Sequence, residues 1–252
     1  MQGERSGHVL VLLPGPTDSW CSYQAVVDRV SLEIRTIAVS QRGHGDSDKP
    51  ASGYRVQDFS ADVVSLLDAL DIERAVLAGH SGSCFTARRV AIDQPERVAG
   101  LVLEASPTTL QGNADLEEFV ASIFTGLHDP IDPDFVRSFA IDTSSGDIGI
   151  ELLDQMVEEQ LKVPARVWLE MFPELLRYDD MAELGRITAP TLLIWGNADG
   201  LVKREMQLKL VEHIPYADLV TYPGTGHTPR WENPTRFASD VSEFVKRHFS
   251  PQ

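Results

Sequence analysis

The sequence has few of the residues that crosslink a protein or bind a structural metal. Its 252 residues include only two cysteines, Cys21 and Cys84, which are far apart and in no CxxC or Cys/His spacing. Neither a disulfide framework nor a metal site is therefore predicted. A chain of this length buries roughly 70 to 75% of its unfolded surface, which is enough for a sizeable core without crosslinks. The low cysteine content favours a reducing, cytoplasmic compartment.

Long apolar runs and an excess of positive charge are also missing. The first residues, MQGERSG, lead straight into HVLVLL, which is too short for a signal peptide. No other run approaches the about 20 apolar residues of a membrane-spanning helix. The 22 basic and 38 acidic residues give a formal net charge of −16, which argues against nucleic acid or an anionic membrane as a partner. We predict a soluble protein that acts on a small molecule, and leave its oligomeric state open, with a homodimer as one option.

Short apolar runs alternate with helix-like stretches along most of the chain. This alternation predicts an α/β fold with a mostly parallel central sheet flanked by helices. Near-continuous apolarity in VLVLL, LVLE and TLLIW is typical of strands buried on both faces. The predicted strands are 8–13, 34–40, 75–78, 101–104, 191–195 and 219–222, and the predicted helices are about 58–70, 82–94, 202–213 and 233–248.

One interval breaks the alternation. Residues 107–186 contain no convincing strand and carry amphipathic helical patterns at about 116–127, 150–162 and 164–177, separated by loop-like DPIDPD and DTSSGD. We interpret this interval as an inserted helical cap, or lid. The predicted core then consists of residues 1–106 and 187–252.

The segment RAVLAGHSGSCFTARRVA carries the first chemical signal. It places Gly79-His80-Ser81-Gly82-Ser83 between a predicted strand and a predicted helix, which is the context of a nucleophile elbow. The turn must be sharp enough to lift the serine hydroxyl above the sheet, and its neighbours must be small. The alternative is an ordinary glycine-rich turn between a strand and a helix.

A serine nucleophile needs a base and a group that orients the base. Asp199 follows the strand TLLIW in the loop GNADG, and His227 follows the next strand in YPGTGH. The order Ser, Asp, His, each on a loop after a strand, predicts a triad of Ser81, Asp199 and His227. The alternatives are a turn-forming or helix-capping aspartate and a helix-capping histidine, and Glu104, at the end of LVLE, is a second candidate for the acid.

Five stretches, LLPGPTDSW, QRGHGDSDKP, GHSGS, WGNADGLV and GTGHTPRWENP, resemble successive signatures of the α/β-hydrolase superfamily. The similarity is to its single-domain esterase, epoxide-hydrolase-like and haloalkane-dehalogenase-like branch with a helical cap. It extends over nearly the whole chain and is weakest in the cap. The resemblance implies the α/β-hydrolase fold, with Ser81 as nucleophile, Asp199 as acid, His227 as base and an active site between sheet and cap. Since the nucleophile is serine, the aspartate-dependent chemistries of that branch are disfavoured.

The chain departs from this family at the first loop. Members usually carry His-Gly-x there, and the N–H of x forms half of the oxyanion hole with the residue after the nucleophile, here Gly82. This chain has Pro14-Gly15-Pro16, and proline has no N–H. Loss of one such donor typically costs about 10² to 10³ in turnover. Thr17 could supply an N–H or hydroxyl instead, or the loop is realigned.

The family also has one or two edge strands before its first buried strand, and only seven residues precede position 8 here. The sheet is therefore expected to be short at that edge, unless the sequence begins late. Loss of edge strands would leave the triad loops unaffected.

Several further residues have both a functional and a structural interpretation. Trp20, Phe124, Trp168, Phe172 and Met171 are candidates to line an apolar acyl pocket, although aromatic residues at helical spacing are more often core. His80 is a candidate pocket or packing residue beside the nucleophile. His44 is interpreted as a turn-forming residue, and Cys84 as buried and inert.

The predicted function is hydrolysis of a small to medium, largely apolar carboxylic ester or lactone. The chain lacks a GxGxxG motif after a strand and a P-loop, so no cofactor or metal is expected. Two alternatives stay open. The same triad supports C–C bond hydrolysis or cofactor-free perhydrolysis in relatives, and the missing oxyanion donor keeps open a ligand-binding or signalling protein with weak turnover.

Overall fold

The computed structural model describes residues 1–3, 8–144 and 148–249. Its centre is one six-stranded sheet in the order β2-β1-β3-β4-β5-β6, in which every neighbouring pair of strands is parallel. The predicted α/β fold with a parallel sheet is confirmed. The strands are β1 His8–Leu13, β2 Ile34–Ala38, β3 Ala75–His80, β4 Val98–Glu104, β5 Thr191–Gly196 and β6 Ala217–Tyr222.

Helices cover both faces of this sheet. They are α1 Gln24–Val27, α2 Val56–Ala69, α3 Ser83–Asp93, α4 Ala114–Phe124, α5 Pro133–Thr143, α6 Ile150–Gln160, α7 Ala165–Arg177, α8 Arg204–His213, α9 Pro229–Glu232 and α10 Pro234–Phe249. Three short 3₁₀ helices occupy Trp20–Tyr23, Pro95–Arg97 and Met181–Arg186.

The apolar strands are buried on both sides because successive side chains point to opposite faces. In β1, Val11 and Leu13 join the core formed with α2, α3 and α8, whereas Leu10 and Leu12 join the core formed with α1 and α10. All four leucine and valine side chains are inaccessible to solvent. This explains why β1 shows no alternation of apolar and polar residues.

Four helices, α4 to α7, lie between β4 and β5; residues 107–186 are called the helical segment below. The described residues of this segment form an apolar core around Trp168 that also includes Tyr54, Val56, Phe59 and Phe85 from outside the segment. Helix α5 was missed from sequence, because DPIDPD was interpreted as a loop. Pro133 instead occupies the first turn of the helix, and the Asp132 side chain accepts from the N–H of Asp134 as its N-cap, a role suited to both residue types.

The two ends of the helical segment meet at Arg88 on α3. The guanidinium of Arg88 is fully buried and pairs with both carboxylate oxygens of Asp180, at 3.0 and 2.7 Å. It also donates to the carbonyl oxygens of Pro107 at 2.8 Å and Thr108 at 3.1 Å. One side chain of the core thus fixes the chain where it leaves the sheet after β4 and where it returns.

At the β2 edge, Gln2 pairs with Thr36 in an isolated antiparallel bridge, with N···O distances of 3.0 and 2.8 Å. Within the ranges that the structure describes, we find no helix with the length and apolarity required to cross a membrane.

Candidate active site

Ser81 lies on the sharp turn between β3 and α3. Its φ is +52°, in the left-handed region that non-glycine residues seldom adopt. Its N–H donates to the carbonyl oxygen of Glu104 at 2.9 Å, which holds the turn against β4. Gly79 must be glycine, because a Cβ there would lie 2.6 Å from the backbone oxygen of Ser83. The predicted strand–turn–helix context is present.

Ser83, which stands where the elbow motif usually has glycine, has a hydrogen-bonding role that sequence reasoning did not identify. Its hydroxyl donates to the carbonyl oxygen of Pro14 at 2.5 Å and accepts from Gln41 Nε2 at 2.8 Å. Gln41 Nε2 itself donates to Pro14 at 3.0 Å. The serine therefore ties the elbow to the loop after β1.

The structure brings Ser81, His227 and Asp199 into one hydrogen-bonded chain. His227 Nε2 lies 3.0 Å from Ser81 Oγ, and His227 Nδ1 lies 2.8 Å from Asp199 Oδ2. An ionised carboxylate can only accept, so Nδ1 carries the proton and Nε2 is free to accept from the serine hydroxyl. His227 and Asp199 are buried, while Ser81 is partly accessible. This arrangement can remove a proton from Ser81.

Asp199 is fixed by its own loop. Its second oxygen, Oδ1, accepts from the N–H groups of Leu201 and Val202 at 2.8 and 2.9 Å, so Oδ2 is left to face the imidazole. The loop after β5 passes close to the loop after β6, because a Cβ on Gly196 would lie 2.2 Å from the backbone oxygens of Thr225 and Gly226. Asp199 and His227 are thus held together by backbone packing.

His80 makes a hydrogen bond to the backbone of His227. Its Nε2 lies 3.0 Å from the carbonyl oxygen of His227, and since a carbonyl only accepts, Nε2 is the donor. Burial lowers the pKa of His80 well below its usual value, and the charges of Arg230 and His227 act in the same direction. His80 therefore stays neutral. Its side chain also fills the space beside Gly15, where a Cβ would lie 2.5 Å from Nδ1.

Glu104, the second candidate for the acid, makes different contacts. Its carboxylate accepts from the N–H of Arg230 at 2.8 Å and from the hydroxyl of Tyr23 at 3.1 Å, and Arg230 Nη1 lies 3.4 Å away. All three side chains are fully buried. The structure favours Asp199 over Glu104 as the candidate acid, because Asp199 lies beside His227 whereas Glu104 pairs with the buried Arg230.

The loop after β1 forms a tight turn beside the nucleophile. The N–H of Asp18 donates to the carbonyl oxygen of Gly15 at 3.1 Å, and Thr17 has a φ of +73°. Proline second and a positive φ third are the features of a type II turn. A Cβ on Gly82 would lie 2.9 Å from Pro16 Cγ, so the Pro16 ring packs against the residue whose N–H was predicted to bind an oxyanion.

A cavity of about 360 Å³ opens above Ser81. Pro16 and Gly82 line it, but Thr17 does not, and Thr17 is fully buried with an unpartnered hydroxyl. Thr17 is therefore set back from the cavity, contrary to its prediction as a donor there. The lining includes Gly15, Pro16, Asp18, His80, Ser81, Gly82, Phe139, Gln160, Phe172, Leu175, His227 and Trp231.

The predicted aromatic pocket is only partly correct. Phe172 and His80 line the cavity, but Trp20 and Trp168 do not. Trp20 is 42% exposed, and Trp168 is buried in the core of the helical segment, with its ring centroid 5.0 Å from that of Phe139. The side chain of Phe124 lies outside the described residues.

Sequence reasoning missed Phe139, Leu175 and Trp231, which also line the cavity. Helical spacing identifies which residues share a face but not which end of that face reaches the site. Met171 is buried in the core of the helical segment.

Two other polar residues have structural roles. His44 Nδ1 lies 2.7 Å from the carbonyl oxygen of Arg42, and burial lowers the pKa of His44 to about 4. Burial raises the pKa of the Cys84 thiol to about 12, so it is not a nucleophile. Among the described residues, no group of three or more His, Cys, Asp or Glu side chains is placed to hold a metal ion.

A model of the alpha/beta hydrolase family matches residues 10–241. The chain belongs to this family. It is 32% identical to a 2-hydroxy-6-oxononadienedioate/2-hydroxy-6-oxononatrienedioate hydrolase of Burkholderia vietnamiensis, over 94% of this chain and 87% of that protein. It is 29% identical to a non-heme chloroperoxidase of Streptomyces lividans, over 86% and 83% of the two chains.

Among solved structures, the α/β-hydrolase chain is similar to an esterase from Rhodococcus sp., with 27% identity and a TM-score of 0.83 over 98% of this chain and 94% of that one. These relatives agree with the fold and with the resemblance drawn from the five sequence stretches. The protein is a hydrolase-family enzyme.

Proposed function

We propose that this α/β hydrolase is a serine hydrolase that cleaves neutral, largely apolar carboxylic esters or lactones through an acyl-enzyme on Ser81. The observation that carries the proposal is the hydrogen-bonded chain from Ser81 Oγ through His227 to Asp199, at 3.0 and 2.8 Å, beneath a cavity with apolar walls. Buried contacts position each member. The arrangement has the parts that activation of a serine requires.

In the proposed reaction, His227 Nε2 takes the Ser81 proton as Oγ bonds to the substrate carbonyl carbon. The carbonyl oxygen becomes an oxyanion and accepts from the Gly82 N–H. The C–O bond to the leaving group then breaks, and the leaving alkoxide takes the proton from His227. Water, deprotonated by His227, then attacks the acyl carbon, the bond from this carbon to Ser81 Oγ breaks, and Oγ takes the proton back from His227 as the acid is released.

The charged residues around the cavity disfavour an anionic substrate. Among the described lining residues, Lys203 is the only lysine or arginine; it is exposed and donates to the carbonyl oxygen of Gly200. The buried carboxylate of Asp18 already pairs with Arg230 at 2.7 Å. A substrate carboxylate would therefore enter without a buried partner, which is costly.

A fluorophosphonate probe tests the nucleophile. We expect the wild-type protein to be labelled with one probe per chain and the Ser81→Ala variant to remain unlabelled. Ser83→Ala is the matched control, because Ser83 lies on the same turn but its hydroxyl donates to Pro14, and labelling should persist there. Absence of labelling in the wild type would contradict the proposal and favour a ligand-binding protein.

The turn from Gly15 to Asp18, beside the nucleophile, predicts that replacing Pro16 will increase activity. Pro16 packs against Gly82 but has no N–H, so Pro16→Ala introduces a donor where the family has one. Because one such donor is worth about 10² to 10³ in turnover, we expect kcat to rise by at least about tenfold and at most by about that factor, with an unchanged KM. The measurement is steady-state hydrolysis of p-nitrophenyl butyrate.

The control for this gain is Pro229→Ala. Pro229 is also buried and lies in the first turn of α9, two residues from His227, where an added N–H has no role in the reaction. An unchanged or lower kcat in Pro16→Ala would show that residue 16 is not a position from which the oxyanion can be bound.

C–C bond hydrolysis is the second candidate, supported by the identity to the dienedioate hydrolase of Burkholderia vietnamiensis. Perhydrolysis on the same triad is a further alternative. A panel of simple esters, lactones and a 2-hydroxy-6-oxo-dienedioate, each with and without hydrogen peroxide, separates the three reactions. The Ser81→Ala protein is the blank. Faster cleavage of the dienedioate than of any ester would replace the proposed esterase activity with C–C hydrolysis.

A further inference from the structure

Two buried polar side chains meet in the cavity wall, one from the core and one from the helical segment. Asp18 ends the turn that contains Pro16, and Gln160 is the last residue of α6. Gln160 Nε2 donates to Asp18 Oδ1 at 3.1 Å. Both residues line the cavity, although only 5% and 2% of their surfaces are exposed. The proposed reaction uses neither of them.

The contacts of Asp18 fix the orientation of the Gln160 amide. Asp18 Oδ2 accepts from the Ser22 hydroxyl at 3.0 Å and from Arg230 Nη2 at 2.7 Å, so the carboxylate is an acceptor on this side. Its other oxygen, Oδ1, also accepts, and of the two ends of the Gln160 amide only the NH₂ can donate to it. The Gln160 amide oxygen, Oε1, therefore points away from Asp18, and it is buried without a hydrogen-bond partner.

A buried acceptor without a donor is unfavourable, and a ligand that supplies the donor removes this cost. The ligand group is expected to be neutral, because a cationic group would have to be desolvated to reach Gln160 Oε1, which carries no formal charge to pair with it. A hydroxyl or an amide N–H meets both requirements, whereas an alkyl group of the same shape is neutral but cannot donate. A carboxylate or ether oxygen is also unsuitable, since it would place two acceptors together.

We propose that Gln160 Oε1, held by Asp18, accepts a hydrogen bond from a hydroxyl or amide N–H of the substrate. The inference rests on the proposed function and narrows it. The substrates are esters or lactones that carry a neutral hydrogen-bond donor near the reacting carbonyl, and Gln160 is a specificity-determining residue that takes no part in the chemical steps.

Two pairs of p-nitrophenyl esters test this selectivity. One pair is the 3-hydroxybutyrate and the 3-methylbutyrate, and the other is N-acetylglycinate and 4-oxopentanoate, in which a methylene replaces the N–H. In at least one pair we expect kcat/KM to be about tenfold or more higher for the donor-bearing ester. The Ser81→Ala protein corrects each rate for spontaneous hydrolysis.

Gln160→Met removes the acceptor while keeping the length of the side chain. We expect the ratio of kcat/KM values within the pair to fall to about one, because the donor-bearing ester loses its hydrogen-bond partner and the donor-free ester has none to lose. Gln207→Met is the matched control, because Gln207 is also buried, donates from Nε2 to the Ser106 carbonyl at 2.7 Å and has an unpartnered Oε1, but is not among the lining residues. Its ratio should equal that of the wild type.

Gln160→Asn provides a second variant if Gln160→Met does not fold. It keeps the amide but shortens the side chain by one methylene. We expect its ratio of kcat/KM between the two esters of a pair to fall to about one as well. A wild-type ratio near one in both pairs, or a ratio that survives in both Gln160 variants, overturns the inference while leaving ester hydrolysis intact.

Binding to the Ser81→Ala protein separates this outcome from failure of the proposed function. Calorimetry with the same four esters should give a lower Kd for the donor-bearing member, and the additional Gln160→Met substitution should remove the difference. If no ester is hydrolysed by the wild type, the proposed function fails. The binding preference then decides by itself whether Gln160 is a recognition residue.

Discussion

If Ser81, His227 and Asp199 act as proposed, replacing Asp199 with asparagine is expected to lower kcat about 10⁴-fold, the loss that the same change causes in a well-studied serine protease. In the wild type, Oδ1 accepts two backbone N–H groups and Oδ2 faces His227 Nδ1 at 2.8 Å. Asparagine can keep the first set of contacts only by turning its NH₂ toward His227. The imidazole must then carry its proton on Nε2, so it can no longer accept the Ser81 proton.

The matched control for Asp199→Asn is Glu104→Gln, which removes a charge of the same kind from the other candidate acid. Because Glu104 pairs with Arg230 and not with His227, Glu104→Gln should lower the free energy of unfolding and leave kcat within about tenfold of the wild type. Steady-state kinetics and urea unfolding of both variants make the comparison. A 10⁴-fold loss confined to Glu104→Gln would assign the acid to Glu104 instead.

Replacing Arg88 with methionine is expected to lower the free energy of unfolding by about 3 to 5 kcal/mol. The substitution leaves the fully buried carboxylate of Asp180 without its cation. It also removes the donors to the Pro107 and Thr108 carbonyl oxygens. Urea denaturation with an unchanged m-value would show that the loss arises in the folded state.

Arg89, the next residue of α3, provides the control. It also pairs with two carboxylates, those of Asp93 and Glu183, but these are 51% and 38% exposed. Arg89→Met should therefore cost only about 1 kcal/mol. The double variant Arg88→Met/Asp180→Leu should recover part of the loss, since it removes the unpaired charge but leaves the carbonyl oxygens without donors. Equal losses in the two single variants would contradict the special role of Arg88.

The sheet and the triad could be predicted from sequence because they depend on local rules. Buried parallel strands are short apolar runs, and their carboxyl ends meet at one edge of the sheet. Ser81, Asp199 and His227 each follow such a run, so their meeting in space follows from the order of the strands. The three loops also contain glycines where the backbones pass closely, as at Gly79 and Gly196.

The contents of the helical segment were harder to predict. An amphipathic pattern reports a buried face but not what that face contacts, so Trp168 and Phe172 had the same interpretation although only Phe172 lines the cavity. Proline and aspartate before α5 were interpreted as a loop although they begin a helix. No sequence pattern marks Gln160 as a site residue, because its proposed role depends on Asp18, which lies 142 positions away in the chain.

The convergence of both ends of the helical segment on Arg88 has a consequence for how this enzyme can diverge. Because Arg88 of α3 binds the chain where it leaves the sheet and where it returns, the helices between these two points form a module that can vary, although they also contact the core at Asp18 and Gly53. Insertions, deletions or a complete exchange between Thr108 and Asp180 need not alter the spacing of the sheet. New substrate ranges can therefore arise by replacing this module, while Ser81, Asp199 and His227 are inherited without change.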